Sequence, residues 1–180
     1  MNFQEITALL VERFPGLKFD ADVKGLQHAL TVPVENLAEI CDYLHTDDRL
    51  YFDFLACITA IDNGPDLATM EVIYNLTSIP YQVDFTLKVV FPRNTTTEEL
   101  PVVPTVSHIW RTADWHEREA YDLMGIRFEG HPDLRRILLP EDWEGHPLRR
   151  DYSVQNLYHG IYVRYEDGNP DQEHVGPDRT

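Results

Sequence analysis

Within nine residues, Asp114 to Asp122, the chain places Asp114, His116, Glu117, Arg118, Glu119 and Asp122. That density of acids with one imidazole and one guanidinium suits acid–base catalysis, metal binding or recognition of another charged surface. Spacing separates these chemistries. His116-Glu117 begins like HExxH, but Ala120 stands where the second histidine ligand belongs. His131 and His146 follow in Gly-His-Pro turns, with Pro132 and Pro147 behind them. A metal-dependent hydrolase using His116, His131 and His146 is therefore the rival reading. The plainer one is a turn whose imidazole bonds the local backbone.

Acid–base catalysis fares no better. Glu117 and Glu119 lie two apart, so on a helix they face different directions and cannot share a proton. No nucleophile with an adjacent base and no glycine-rich phosphate loop accompanies them. Asp114, Arg118 and Asp122 are spaced i, i+4, i+8, the ladder of an exposed helix face. Glu117 lies at the margin of a buried stripe marked by Ile109, Ala113, Ala120 and Met124. A carboxylate there is partly desolvated and calls for an arginine partner. Arg127, Arg135, Arg136, Arg149 and Arg150 are the nearest supply. The stretch 109–152 uses no lysine, and guanidinium forks give the bidentate geometry that lysine lacks.

The elements that must position this cluster are readable from periodicity. Phe3, Ile6, Leu10 and Phe14 mark a first helix, stopped by Pro15-Gly16. A short strand is expected over 17–22 and another over 26–32. Leu37, Ile40, Cys41 and Leu44 give the stripe of a second helix after Pro33. "YFDFLACITAI", apolar on both faces, reads as a central strand. "LATMEVIYNL" and "YQVDFTLKVVF" alternate and read as neighbouring strands. "PRNTTTEELPVVP" reads as a loop. A third helix is expected from about Val106 to Met124, ending before Gly125. The order predicts an α+β fold: an antiparallel or mixed sheet with helices packed on it, followed by an extended irregular C-terminal arm.

The division that follows is an α+β globular domain over 1–126, an arginine-rich docking arm over 127–152, and an extended tail over 153–180, partly disordered in isolation. In the arm, "GHPDLRR" recurs as "GHPLRR", two similar turns each presenting an arginine pair. Irregular segments of this length rarely hold themselves rigid, so a partner surface is expected beneath the arm. Tyr158, Tyr162 and Tyr165 hint at one more extended piece.

Composition closes off several classes. The formal charge of -16 argues against nucleic acid or anionic lipid as partner. Two cysteines, Cys41 and Cys57, cannot supply the four ligands of an iron–sulfur cluster and read as buried free thiols. The start carries neither a signal-peptide nor a transit-peptide pattern. No segment approaches the about 20 apolar residues of a membrane span.

One pattern is long enough to name. Glu117-Arg118-Glu119, then Asp122, Leu123-Met124, His131 and Arg135-Arg136 resemble the signature of the respiratory complex I thirty-kilodalton subunit family, the C-type subunit of bacterial NADH-quinone oxidoreductase. The likeness continues through "GIRFEGHPDLRRILLPEDWEGHPLRRDY". Ser153 departs from it, where the family usually carries a proline soon after the aromatic.

That resemblance implies a peripheral-arm subunit of a proton-translocating NADH:quinone oxidoreductase. The chain would hold no cofactor, with flavin and iron–sulfur clusters in partner subunits. It would dock on the large quinone-site subunit (D type) and the cluster-bearing B-type subunit, meeting quinone only indirectly. Its place would be the cytoplasmic face of the bacterial inner membrane. Equivalent subunits of membrane hydrogenases or photosynthetic NDH-type complexes are the alternative within the family. Glu117, Arg118, Glu119, Asp122, Gly125, His131, Pro132, Arg135, Arg136, His146, Pro147, Arg149, Arg150 and Asp151 would be structural and interface residues, none of them catalytic.

Overall fold

A computed structural model describes residues 1–25, 27–94 and 99–162. It is an α+β fold built on a five-stranded mixed sheet of order β1-β2-β5-β4-β3. The strands are β1 (Asp20–Asp22), β2 (Ala29–Thr31), β3 (Phe54–Asp62), β4 (Thr69–Ser78) and β5 (Val83–Pro92). β2 runs parallel to β5, and every other neighbour in the sheet is antiparallel.

Helix α1 (Phe3–Arg13) starts on a capping box: Asn2 accepts from the Glu5 amide, and Glu5 accepts from the Asn2 amide. Helix α2 (Leu37–Thr46) follows a short 3-10 turn after Pro33. Their stripes, Ile6 and Leu10 on one, Leu37, Ile40, Cys41 and Leu44 on the other, are fully buried with Tyr74, Leu76, Leu87 and Val89 of the sheet. The alternation in β4 is regular, with Met70, Val72, Tyr74, Leu76 and Ser78 all turned inward. The opposite sheet face is polar and cross-linked to itself: Gln27 bonds Asn75 and Thr86, and Lys88 lies near Glu71 and Asp22.

Three expectations change. "YFDFLACITAI" forms an edge strand, because among the described residues only β4 pairs with it. Its doubly apolar character comes from α3, which packs at that edge. Helix α3 spans Ala113–Met124, seven residues shorter than expected. Residues 106–112 form turns instead, pinned where the Trp110 indole donates to the Phe52 carbonyl and the Thr112 hydroxyl to the Leu55 carbonyl. Within "PRNTTTEELPVVP", Val102–Pro104 forms β6, which pairs in parallel with β7 (Arg127–Glu129); residues 95–98 lie outside the described residues. A two-residue hairpin, β8 (Leu157–Tyr158) and β9 (Ile161–Tyr162), supplies the late extended piece. Tyr165 and the disorder expected beyond it lie outside the described residues.

Candidate functional site

The signature residues gather at the two ends of α3 and in the segment that wraps it. Near the N-terminal end, Glu117 is fully buried. One oxygen accepts from the Val106 amide at 2.7 Å, the other from the Thr105 hydroxyl. Thr105 in turn shares a hydrogen with Ser107 at 2.8 Å. The expected arginine partner is absent from this group. Burial pushes the Glu117 carboxyl up to about 7, against the opposing pull of its Thr105 and Val106 donors. Hydroxyls can reverse, so Thr105 can donate to a carboxylate or accept from a carboxylic acid while Ser107 takes the other role. Next to this group the Tyr74 hydroxyl and Cys41 thiol are buried. Desolvation, then the negative potential of Glu117, raises both. Among the described residues the Tyr74 hydroxyl has no hydrogen-bond partner.

His131 closes this end. Its Nδ1 accepts from the Asp133 amide at 3.0 Å, which leaves Nε2–H to donate to the Asp114 carbonyl at 3.1 Å. The ring is thus held as the neutral Nε2–H tautomer. Arg118 is buried too, contrary to an exposed ladder. Its guanidinium lies 3.9 Å from both Asp114 and Asp133 and 4.9 Å from the centre of the exposed Trp115 ring.

The C-terminal end is a different arrangement. A helix leaves its last carbonyls without partners. Here the segment after Gly125 supplies them one by one. The Asp122 carbonyl accepts from His146 Nδ1–H at 2.9 Å and from Arg136. The Leu123 carbonyl accepts from the Leu148 amide, Met124 from Arg149 Nε, and Gly125 from Arg149 Nη2. Cationic side chains also complement the helix dipole there. The Asp122 side chain, fully buried, accepts three consecutive backbone amides, Ile137, Leu138 and Leu139, at 2.7–3.0 Å, and Arg136 Nη1 at 2.9 Å. Burial opposes its charge, but these donors prevail and hold the carboxyl below its ordinary range. Gly125 has φ +65°, and a Cβ there would sit 2.4 Å from the His146 ring.

A second tether lies at the β3–β4 turn. Asp62 accepts from Arg93 Nε at 2.8 Å, the Gly64 amide and the Arg150 amide, while Arg93 also binds Asp151. Asp62 and Arg93 carried no signal as partners, being 31 positions apart in the chain. Only the Asp62–Gly64 turn was open to local reading.

The arginine pairs now divide. Arg136 and Arg149 turn inward onto α3, while Arg135 and Arg150 are exposed. Glu119 is exposed, and Pro132 and Pro147 follow their histidines on the surface and half-buried, respectively. His116, His131 and His146 are not brought together: His131 bonds the Asp114 carbonyl, His146 the Asp122 carbonyl, and His116 lines a groove against β3. Among the described residues no group of three metal-ligating side chains converges. Cys41 is buried and Cys57 only half-buried, and both are free thiols. No helix of the described residues is long and apolar enough to cross a membrane.

Residues 30–158 match the family model described as respiratory-chain NADH dehydrogenase, 30 Kd subunit. The chain is 44% identical over 159 residues to the C-type subunit of an NADH-quinone oxidoreductase of Chloroherpeton thalassium, covering 87% of this chain and 63% of that one. It is 44% identical over 130 residues to the corresponding NADH-quinone oxidoreductase subunit of Chlorobium phaeobacteroides, covering 71% and 74%. It therefore spans less than two thirds of the length of the first of these relatives. In fold it is similar to a chain of a membrane-bound sulfane sulfur reductase, an archaeal respiratory membrane complex. That likeness has TM-score 0.70 and 22% identity, covering 94% of this chain and 98% of that one. The chain belongs to the respiratory-chain NADH dehydrogenase 30 kDa subunit family.

Proposed function

We propose that the chain is a cofactor-free peripheral subunit of a proton-translocating NADH:quinone oxidoreductase. It sits on the cytoplasmic face of the membrane and docks on the large quinone-site subunit and its cluster-bearing neighbour. Family membership over 30–158 supports the parent activity. The observation that carries the docking role is the split of the two arginine pairs. The inward member of each fixes the segment 127–152 onto α3, which leaves Arg135 and Arg150 presented outward beside the exposed Leu138 and Leu148. Arginine beside apolar side chains is the composition of an interface centre. Residues 127–152 then act as a preformed docking arm on the 1–126 domain, with 153–180 as a further extended tail.

In this reading the buried and half-buried members, Glu117, Arg118, Asp122, Gly125, His131, Arg136, His146 and Arg149, shape the arm. The exposed Glu119, Arg135 and Arg150 meet the partner. Electrons pass through groups held by other chains, and this chain contributes surface and rigidity.

The test is affinity purification of the tagged chain from membranes, followed by assay of NADH:quinone activity and mass spectrometry. The wild-type chain should bring the whole complex, whereas the isolated chain should oxidise no NADH and hold no stoichiometric flavin or iron. The Arg135→Glu/Arg150→Glu variant should unfold at nearly the wild-type denaturant midpoint yet fail to enter the complex. Normal incorporation of that folded variant defeats the docking role. A wild-type chain that never accompanies the activity defeats the subunit assignment.

A further inference from the structure

A carboxyl sealed from water exchanges its proton only through groups that touch it or through an opening of the fold. Glu117 is such a carboxyl, 0% exposed. The titratable groups around it are Asp114 on its own helix, Cys41 on α2, Tyr74 on β4 and His131 in the wrapping segment. Among the described residues none of them hydrogen-bonds to it. His131 Nε2 lies 3.9 Å from the Glu117 oxygen, but its hydrogen is engaged by the Asp114 carbonyl. Asp114 itself lies toward His131 and Arg118, and Arg118 toward Asp114 and Asp133. Burial raises Cys41 and Tyr74, so both keep their protons.

Thr105 and Ser107 offer a route. One Glu117 oxygen meets the Thr105 hydroxyl, whose oxygen lies 2.8 Å from that of Ser107. Thr105 is buried and Ser107 half-buried, so the row of oxygens runs from the interior to the surface. The backbone holds the row in place. The Thr105 amide donates to the Glu129 carbonyl at 3.0 Å and the Val106 amide to the other Glu117 oxygen at 2.7 Å. The Val106 carbonyl accepts from the Ile109 and Trp110 amides.

A hydroxyl has one hydrogen to give and two lone pairs that accept. The Ser107 amide takes one lone pair of Thr105, at 3.2 Å. The remaining capacity closes in both charge states. With Glu117 ionised, Thr105 donates to it and accepts from the Ser107 hydroxyl. With Glu117 protonated, Thr105 accepts from it and donates to the Ser107 oxygen. One state becomes the other when each hydrogen moves along its own hydrogen bond.

We propose that Ser107, Thr105 and Glu117 form a proton relay, with Ser107 as its port to solvent and Glu117 as its buried terminus. On uptake a solvent hydronium gives its proton to Ser107 Oγ, the Ser107 hydrogen passes to Thr105 Oγ1, and the Thr105 hydrogen passes to the Glu117 carboxylate. Three O–H bonds break and three form. The net change is one proton moved from solvent to the carboxylate, and release is the reverse. The Ser107 hydroxyl therefore offers its oxygen outward when Glu117 is ionised and its hydrogen when Glu117 is protonated. A buried charge is read at the surface. The relay lies within this chain and stands apart from the subunit reading.

The test is a pH jump on the full isolated chain, followed by time-resolved infrared spectroscopy of the carboxylic-acid carbonyl band. The band that Glu117→Gln removes reports this carboxyl, and it should grow as pH falls through about 7. Thr105→Val keeps the shape and removes the inner hydroxyl. Ser107→Val removes the outer one and fills its place against water. Each should slow proton entry by about tenfold or more, as each about 1.4 kcal/mol added to a barrier does. Thr105→Ser should restore nearly the wild-type rate. Ser107 is only half-buried, so Ser107→Val reads the relay even where Thr105→Val fails to fold. Entry at the wild-type rate in either valine variant overturns the proposal. Slowing by Thr105→Ser equal to that by Thr105→Val also overturns it, since packing and not the hydroxyl then matters. So does wild-type entry no faster than exchange of the Val106 amide hydrogen, because the proton then arrives as the turn opens. A Glu117 band that does not change with pH ends the proposal outright.

Discussion

Glu117 and Asp122 stand on one helix, both fully withdrawn from water, and the fold treats them in opposite ways. Asp122 is kept as an anion by three backbone amides and a guanidinium. Glu117 has two donors and, among the described residues, no arginine or lysine beside it, and burial raises its proton affinity to about 7. The difference teaches that the same residue class anchors the chain at one end of α3 and carries an exchangeable proton at the other. What decides is the number of amides aimed at the carboxylate. The loop around Asp122 turns three consecutive N–H groups inward, while the turn before α3 offers Glu117 only one.

The sharpest way to break this comparison is at Asp122. Replacing it with alanine strands Arg136 and three amides, and breaking a buried pair of this kind costs about 3–5 kcal/mol. Chemical denaturation should show that loss, and limited proteolysis should cut within 135–150 while the sheet survives. Linkage adds a pH signature. Asp122 and Asp62 are both held below the ordinary carboxyl value, so their stabilisation is present above about 4 and lost as pH falls further.

Glu117 should behave with the opposite sign. Its folded proton affinity is raised, so stability is greatest while it is protonated in both states and declines as pH rises from 4.5 to about 7. At about 1.4 kcal/mol per pH unit, the decline is roughly 3 kcal/mol. His146, lowered chiefly by burial, works against it, losing stability as pH falls below 6.5. The difference between wild type and Glu117→Gln isolates the carboxyl. The variant should gain on the wild type steadily across that window in denaturant titrations at successive pH. A constant difference would show that Glu117 is ionised throughout.

Gly125 closes the Asp122 end of the helix and should give a smaller effect. Alanine there meets both a left-handed backbone and the His146 ring at 2.4 Å. A cost of about 2–3 kcal/mol is expected from the two together, read as a lowered denaturation midpoint.

Much of this architecture was legible in the sequence, and the failures have physical reasons. Leu37, Ile40, Cys41 and Leu44 gave α2 correctly, and alternation gave β4 and β5, because burial on one face imposes a period. Cys57–Ile61 misled because an edge strand flanked by a helix is as apolar as a central one. Val106, Ile109 and Trp110 fit a helical stripe, yet Trp110 and Thr112 bond to 52–55 across the fold and unwind it. Spacing set the carboxylates of the α3 cluster on different sides of the helix. Its internal pairing was hidden, since Asp62 meets the Arg150 amide across 88 positions. Much of the hydrogen bonding that holds the segment 136–149 comes from α3 itself.

That last finding sharpens the two arginine turns into the smallest and most selective test. Arg135 is two-thirds exposed and, among the described residues, paired only with Asp133 at 3.0 Å, an exposed bridge of the kind that contributes about 0–1 kcal/mol. Arg136 beside it bonds Asp122, Trp143 and Gly145. Arg135→Ala should leave the denaturation midpoint within experimental scatter and reduce incorporation into the membrane complex. Arg136→Ala should lower stability first and assembly only as a consequence, so that lowering the temperature restores assembly for Arg136→Ala and not for Arg135→Ala. If both variants lose stability equally, the inward–outward division of the pair is wrong, and the arm's outer face has no claim to be the docking surface.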